Sequence, residues 1–374
     1  MSERTMKELQ YKQRLPLEVK VKMTQQRIRE WIREYGTDGV YVSFSGGKDS
    51  TVLLHIVRDM YPNVPAVFVD TGLEYPEIRE FVRTFDNVEW IRPKMNFKKV
   101  IETYGYPFIS KEMSSIIGGG QRALQILESE GIDVQDTETV INQCARRLKK
   151  ERGEWRKLAQ CLGALTKENE IKMDIKQNEK GTYSDIPQKY KFLINAPFMI
   201  SDRCCYVMKK TPVHEYNRVT NRMPITAQMA SESRLRERAW MKNGCNAFDA
   251  KYPISNPMSF WTDQDVLKYI KDNDIKIASI YGDVVYVDDN GNQYDEVIYK
   301  TGVNLCTTWM KRTGCMFCGY GCQLEKKEEG RFVRMKQTHP KQYEYIMRSW
   351  EKGGLGFKEI IDWINENSDL DIGY

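Results

Sequence analysis

Two groups of residues in this sequence have the types and spacing to do chemistry. The first is Ser45-Gly46-Gly47-Lys48-Asp49-Ser50, which gathers two glycines, an ammonium, a carboxylate and two hydroxyls within six positions. Glycines let backbone N–H groups approach an anion closely, and a helix starting there adds the positive end of its dipole. Lys48 offers a mobile positive charge, Ser45 and Ser50 can donate to phosphate oxygens, and Asp49 can hold Mg²⁺ or order the loop. The second group is Cys204-Cys205 with Cys315-Met-Phe-Cys318, more than a hundred residues further on. Four thiolates brought together suit either a [4Fe–4S] cluster or a structural Zn²⁺, and the spacing does not choose between them. Arg203, Lys209, Lys210 and Arg312 stand near these cysteines in sequence, where cations would offset thiolate or phosphate charge.

The elements around the first group read as strand, glycine turn, helix. Gly39 to Phe44 is β-branched and aromatic, and Thr51 to Val57 is an apolar helical run. Ala66–Val69 and Val88–Ile91 read as further strands, with a helix from Pro76 to Phe85 opened by its proline. This alternation predicts an α/β fold with a doubly wound, mostly parallel sheet, whose ligand crevice lies at the carboxyl ends of the strands. Ser45–Ser50 and the turn Asp70-Thr71-Gly72 both emerge there. Residues 1–38 read as an N-terminal helical segment, including a helix from Thr24 to Tyr35 stopped by Gly36.

Residues 39–109 and 192–270 make the expected nucleotide-binding domain, and 110–191 a helical insertion in which Gly118-Gly119-Gly120 breaks the chain. Strand signals resume at Phe192–Ala196, and Thr262 with Asp265 forms a capping pair before an apolar helical stripe. Residues 271–374 form a cysteine-containing, helical C-terminal region with helices from Pro340 to Trp350 and Phe357 to Ile364. Arg146, Arg147, Lys149 and Lys150 give the insertion a basic face. It reads as a handle for nucleic acid or as a solvated helix surface.

Composition narrows the class. The chain of 374 residues is 41% hydrophobic and 29% charged, which excludes wholesale disorder. No stretch approaches a membrane span and the N-terminus lacks a secretory pattern, so the expectation is a cytoplasmic protein with no membrane partner. Nine cysteines then read poorly as a disulfide framework; Cys144 and Cys161 are expected to pack, Cys322 competes as a metal ligand, and Cys245 and Cys306 have no assigned role. His55, inside an apolar helix, is expected in the core. The net charge of +5 names no partner by itself.

Five ordered motifs carry a resemblance: SGGKDS at 45–50, FVDTGLEYPE at 68–77, CC followed by KKTP at 204–212, ESRLR at 232–236 and WTDQDV at 261–266. With them the chain resembles the phosphoadenosine phosphosulfate reductase family of the PP-loop ATP-pyrophosphatase superfamily. The resemblance implies an adenine-nucleotide site formed by Ser43, Ser45, Gly46, Gly47, Lys48, Asp49, Ser50, Asp70, Thr71 and Gly72. It implies a substrate-binding set of Lys209, Lys210, Glu232, Ser233 and Arg236, with Lys48, Asp49 and Arg236 in catalytic roles. Cluster-bearing members have a tandem Cys-Cys and a distant Cys-x-x-Cys, which favours [4Fe–4S] over zinc at Cys204, Cys205, Cys315 and Cys318.

Two departures bear on the reaction. Sulfonucleotide reductases of this family attack with a cysteine in a C-terminal tail, and here no cysteine follows Cys322. The arginine that usually stands three positions before E-S-x-x-R is Met229. The expected reaction is therefore activation of an acceptor by Mg²⁺-ATP, with release of pyrophosphate and transfer of sulfur. The acceptor could be nucleic acid, and a sulfur donor or reductant protein is a further expected partner. Sulfonucleotide reduction and a non-catalytic, nucleotide-sensing nucleic-acid-binding module are the alternatives.

Overall fold

The strand Val40–Ser43 alternates its side chains between two faces, and that alternation organises what surrounds it. Val40, Val42 and the following Phe44 enter one core with Ile28 and Trp31 of the helix Leu17–Tyr35 and Val52, Leu53 and Ile56 of the helix Lys48–Met60. Tyr41 points the other way. With Val67 it meets Tyr216 of the helix Thr211–Thr220, and its hydroxyl donates to Asn217 Oδ1 at 2.7 Å. Helices therefore cover both faces of the sheet, as the strand–helix alternation predicts. The computed structural model describes residues 4–148, 153–166, 170–171, 185–294 and 302–374. It divides into two units, Met1–Lys94 with Lys209–Met316, and Met95–Met208 with Phe317–Tyr374.

The first unit holds a six-stranded sheet in the order Val88–Ile91, Ala66–Val69, Val40–Ser43, Met223–Ile225, Ile254–Ser255, Asn246–Ala247. Only the last pairing is antiparallel. The chain runs outward from Val40–Ser43 to Val88–Ile91, then returns to add Met223–Ile225 on the other side of the first strand. Such a reversal opens a crevice at the carboxyl ends of the two central strands. The helix Asp263–Asp272 is closed by the expected capping box, in which Thr262 Oγ1 accepts from Asp265 N at 3.4 Å and Asp265 Oδ2 accepts from Thr262 N at 2.7 Å. Asp265 also pairs at 2.6 Å with the buried Lys20, which ties the N-terminal helix to this cap. A small antiparallel sheet of Asn304–Thr307, Val284–Val287 and Gln293–Tyr294 completes the unit.

The second unit is mainly helical. Lys111–Ser129, Thr137–Leu148 and Gly153–Cys161 pack around Val140, Trp155 and Leu158. A two-residue strand, Phe108–Ile109, runs parallel to Gly319–Tyr320. Helices Arg331–Thr338, Pro340–Met347 and Phe357–Glu366 follow. No described helix is long and apolar enough to cross a membrane.

Several expectations need correction. Residues 17–35 and 279–281 supply buried core to the sheet unit through Trp31, Ile280 and Tyr281, while residues 95–109 and 192–208 fall in the helical unit. Phe192–Ala196 is not a strand but lies in and just after the 3₁₀ helix Gln188–Asn195, where Gln121 Nε2 donates to the Leu193 carbonyl at 3.0 Å and Phe192 stacks on Trp363. Gly118-Gly119-Gly120 does not break the chain; it lies inside Lys111–Ser129. A Cβ on Gly118 would overlap the Ile200 carbonyl oxygen, one on Gly119 would overlap Lys157 Cδ, and one on Gly120 would come within 2.7 Å of Ile194 Cδ1. Close approach by neighbours, not turn formation, explains the run.

Alanine has about 1 kcal/mol more helix propensity than glycine, so Gly118→Ala would stabilise a helix with room for it. The overlapping oxygen belongs to backbone and cannot swing aside. We expect Gly118→Ala to destabilise the protein by about 1–3 kcal/mol, read from the urea midpoint. A raised midpoint would disprove the close approach.

Candidate nucleotide site

The loop leaves the first strand at Phe44 and turns through Gly46 at φ +70°, where a side chain would press into Val82 and Ile78. Gly47 caps the helix Lys48–Met60 without a side chain of its own. Three N–H groups of this turn donate to hydroxyl oxygens: Gly47 N–H to Ser45 Oγ at 3.3 Å, Ser45 N–H to Ser50 Oγ at 3.2 Å, and Lys48 N–H to Tyr281 Oη at 3.3 Å. Tyr281 in turn hydrogen-bonds Thr313 Oγ1 at 2.6 Å. Oxygens thus occupy the positions that phosphate oxygens take at a helix N-terminus. Ser43, by contrast, sits in strand register opposite Val67.

Lys48 corrects one expectation: its charge is not mobile. Its side chain is 2% exposed and its ammonium is held by Asp49 Oδ1 at 2.9 Å and by a short hydrogen bond to Asp263. Burial alone would pull its pKa down; the Asp49 and Asp263 carboxylates outweigh burial and raise it. Asp263 is the first residue of the helix Asp263–Asp272, so the WTDQDV motif supplies one carboxylate to the phosphate loop and another to the cap.

The second turn is built on its own side chains. Thr71 N–H and Thr71 Oγ1 both donate to the Glu74 carboxylate, at 3.1 and 2.7 Å, and Leu73 N–H donates to Thr71 Oγ1. Gly72 turns at φ +74° with open space around its Cα. Asp70 is buried and clamped by Arg79 and Arg92, each at 3.1 Å, so its carboxylate positions the turn. Lys209 Nζ lies 3.8 Å from Glu74, and Lys210 heads the helix Thr211–Thr220, where it helps burial lower the His214 pKa. Met316 N–H donates to the Leu73 carbonyl at 2.7 Å, joining the residues after Arg312 to this turn.

Glu232 and Arg236 form an ion pair, and Arg312 stands 3.7 Å from the same carboxylate. Ser233 caps the helix Arg234–Asn243. Burial first and Arg312 second push the Arg236 pKa down, while Asp49 opposes them. Arg236 is therefore within electrostatic reach of the loop. Met229, in the place of the family's arginine, is fully buried and donates its N–H to Glu232 at 3.1 Å. Sequence reasoning missed Asp263, Tyr281, Thr313 and the Arg79–Arg92 clamp. Only Asp263 lay in a motif; the rest are isolated residues without a spacing signal.

Of the cysteines, Cys204, Cys205 and Cys318 share the surroundings of Tyr320, whose pKa is raised by burial and then by those three thiols. Tyr320 Oη donates to the Ser201 carbonyl at 3.0 Å, and Arg331 Nη1 to the Cys318 carbonyl at 2.9 Å. Cys315 belongs to the sheet unit, whose boundary falls after Met316. The thiol chemistry suits a cluster, but among the described residues no group of three or more Cys, His, Asp or Glu stands in metal-holding geometry. Cys322 is buried and its thiol is pushed up to about 12, as are Cys144 and Cys161. His55, expected in the core, is exposed, with Nδ1 3.2 Å from the Tyr269 hydroxyl. In the basic run, Arg147 pairs with Glu130 and stacks on Trp155, Arg146 is exposed, and Lys149 and Lys150 lie outside the described residues.

The Lys48 pKa stands above lysine's ordinary 10.5, so its ion pairs stabilise the fold fully below pH 10.5 and fade as pH rises through the higher folded value. Asp263→Asn should therefore cost about 1–3 kcal/mol near neutrality. In urea titrations that difference should shrink above pH 10.5; a difference constant to pH 12 would rule out the ammonium as the partner.

The phosphoadenosine phosphosulfate reductase domain matches this chain over residues 39–108 and 150–319. A phosphoadenosine 5′-phosphosulfate reductase of Xylella fastidiosa is 37% identical over 68 residues, 18% of this chain and 27% of that protein. An uncharacterized protein of Methanocaldococcus jannaschii is 34% identical over 73 residues, 18% of each. The chain thus spans about a quarter of the length of the reductases it matches. The structure of phosphoadenylyl-sulfate reductase from Candida auris in a phosphate complex aligns with 79% of this chain and 98% of that one, at 10% identity and a TM-score of 0.35. The domain match covers more than half of the sequence and starts at the strand feeding the phosphate loop: the chain belongs to the phosphoadenosine phosphosulfate reductase domain family.

Proposed function

We propose that the sheet unit is an ATP-pyrophosphatase-type site that activates an acceptor for sulfur transfer. In this reading an acceptor oxygen attacks the α-phosphorus of ATP, and the bond to the bridging oxygen breaks with release of pyrophosphate. A sulfur nucleophile, carried by a donor, then attacks the activated acceptor carbon or phosphorus and AMP departs with the acceptor oxygen. The observation that carries the reading is the pair of carboxylates, Asp49 and Asp263, on either side of Lys48 at the head of the helix. Two carboxylates repel a bare anion but suit a polyphosphate that arrives with a hard cation. Mg²⁺ entering with ATP would be held by Asp49 and Asp263 and would neutralise charge on the pyrophosphate. Gly47 and Lys48 N–H groups exchange hydroxyl oxygens for phosphate oxygens, and the fixed ammonium of Lys48 offsets negative charge at the head of the helix. Ser45 and Ser50 orient the phosphates, and Arg236 with Arg312 receives an anionic group of the acceptor.

Sulfonucleotide reduction is the second reading, supported by the names of the Xylella relatives. It requires a thiol in reach of the sulfate. Residues 370–374 are bound to the helix Phe357–Glu366: Ile372 N–H donates to Asn365 Oδ1 at 2.9 Å and Lys358 Nζ to Tyr374 Oη at 2.7 Å. The two readings separate on products. With water in the place of the acceptor oxygen, Mg²⁺-ATP should yield AMP and pyrophosphate, with Lys48→Ala lowering the rate by about 10²-fold or more. Sulfite from phosphoadenosine phosphosulfate and thioredoxin, with no product from ATP, would reverse the order, and nucleotide binding without turnover would leave only a sensor.

For the cysteines we propose a [4Fe–4S] cluster, with zinc as the alternative, and route no step through it. Support is the shared environment of Cys204, Cys205 and Cys318 around Tyr320. Anaerobic purification should give a coloured protein with about four iron and four sulfide per chain, and Cys205→Ser should lower both. A colourless protein with one zinc would overturn the assignment.

A further inference from the structure

The chain's positive excess is five charges, yet one groove of the sheet unit concentrates most of it. The groove has a volume of about 990 Å³ and is lined by Arg4, Lys12, Lys22, Arg27, Lys242 and Lys251 against only two carboxylates, Glu30 and Asp249. Half of the cations are engaged: Lys12 with Glu8 at 2.6 Å, Arg27 with Glu30 at 2.9 Å, and Arg4 with the Lys242 carbonyl at 3.5 Å. Lys22, Lys242 and Lys251 are exposed and form no ion pair among the described residues.

The groove also has an aromatic platform. Phe248 is 37% exposed, and its ring rests 5.0 Å from Trp31 and 6.3 Å from Tyr35, to which it is nearly parallel. Cations that follow a phosphate backbone beside a ring that can take a base are the combination used for single-stranded nucleic acid. The recess, built from residues 4–30 and 240–260, does not present the flat face that a bilayer needs.

The groove adjoins the nucleotide site through one helix. Arg234–Asn243 carries Arg236 at its start and Lys242 near its end, six residues or about 9 Å along the axis. A smaller cavity of about 170 Å³, lined by Arg236 and Asn256, shares Trp240, Asn243, Gly244 and Ala247 with the groove. We propose that this groove binds single-stranded nucleic acid, so that the strand presents the acceptor group toward Arg236. The proposal rests on the acceptor-activation reading and names its acceptor class and docking surface.

The test is fluorescence anisotropy of the full chain with labelled single-stranded 20-mers of DNA and RNA, without nucleotide. Replacing Lys22, Lys242 and Lys251 together by glutamine should weaken binding at least tenfold at 150 mM salt. It should also flatten the plot of log affinity against log salt by about 2, since each lost phosphate contact contributes about 0.7. Phe248→Ala should weaken binding about tenfold with the slope unchanged. Hydrolysis of ATP to AMP and pyrophosphate, with water in the place of the acceptor oxygen, should be the same in both variants. Unchanged affinity and slope in the triple variant would overturn the proposal, as would loss of binding to phosphatidylserine vesicles with oligonucleotide binding intact. A protein that turns over ATP but ignores oligonucleotides refutes the groove alone, whereas one that binds oligonucleotides without turnover refutes only the reading on which it rests.

Discussion

The candidate site in the sheet unit is organised around one buried ammonium. Lys48 is the first residue of the helix after the loop, and its charge is enclosed by Asp49 beside it and by Asp263 from more than two hundred residues away. A lysine in such a place would lose its proton if unpaired; two carboxylates keep it charged. The same interaction holds the head of one helix against the head of another, next to the sheet's switch point. Structure and chemistry therefore draw on one contact. A ligand that displaces Asp263 also alters what joins the two helices.

The rest of the site follows the same pattern of internal neutralisation. Arg236 and Arg312 share Glu232, Asp70 is clamped by Arg79 and Arg92, and the loop amides meet hydroxyls. Lys48, Asp70, Glu232 and Arg236 each already have a partner of opposite sign. Binding a phosphate ester exchanges these partners and does not fill bare positions, which favours selectivity over raw attraction: an anion gains only the difference between its own contacts and those it replaces.

Much of the sheet was legible because its signals are local. Val40–Ser43, Ala66–Val69 and Val88–Ile91 are short apolar runs bounded by turns, and Thr262 with Asp265 is a capping pattern that needs only four residues to be read. The loop was legible for the same reason. What escaped depended on distant neighbours. The glycines at 118–120 look like breakers until the Ile200 backbone and the Lys157 side chain are seen against them. Phe192 and Leu193 have strand-like side chains, but their surroundings supply a side-chain amide and a stacking indole in place of a strand partner. Asp263 stands in a motif whose link to the loop only the fold reveals, and nothing in the sequence around Tyr281 announces its contact with Lys48.

The two units are interleaved along the chain, and this has a consequence for synthesis. The first ninety or so residues leave the ribosome with three strands of a sheet whose next neighbour, Met223–Ile225, arrives more than a hundred residues later. The helical unit waits longer still, since Phe108–Ile109 pairs with Gly319–Tyr320. Nascent chains should thus expose the open edge of Val40–Ser43 for many seconds at about 5–20 residues per second. That strand, with its unpaired amides, is the segment a chaperone would have most reason to shield.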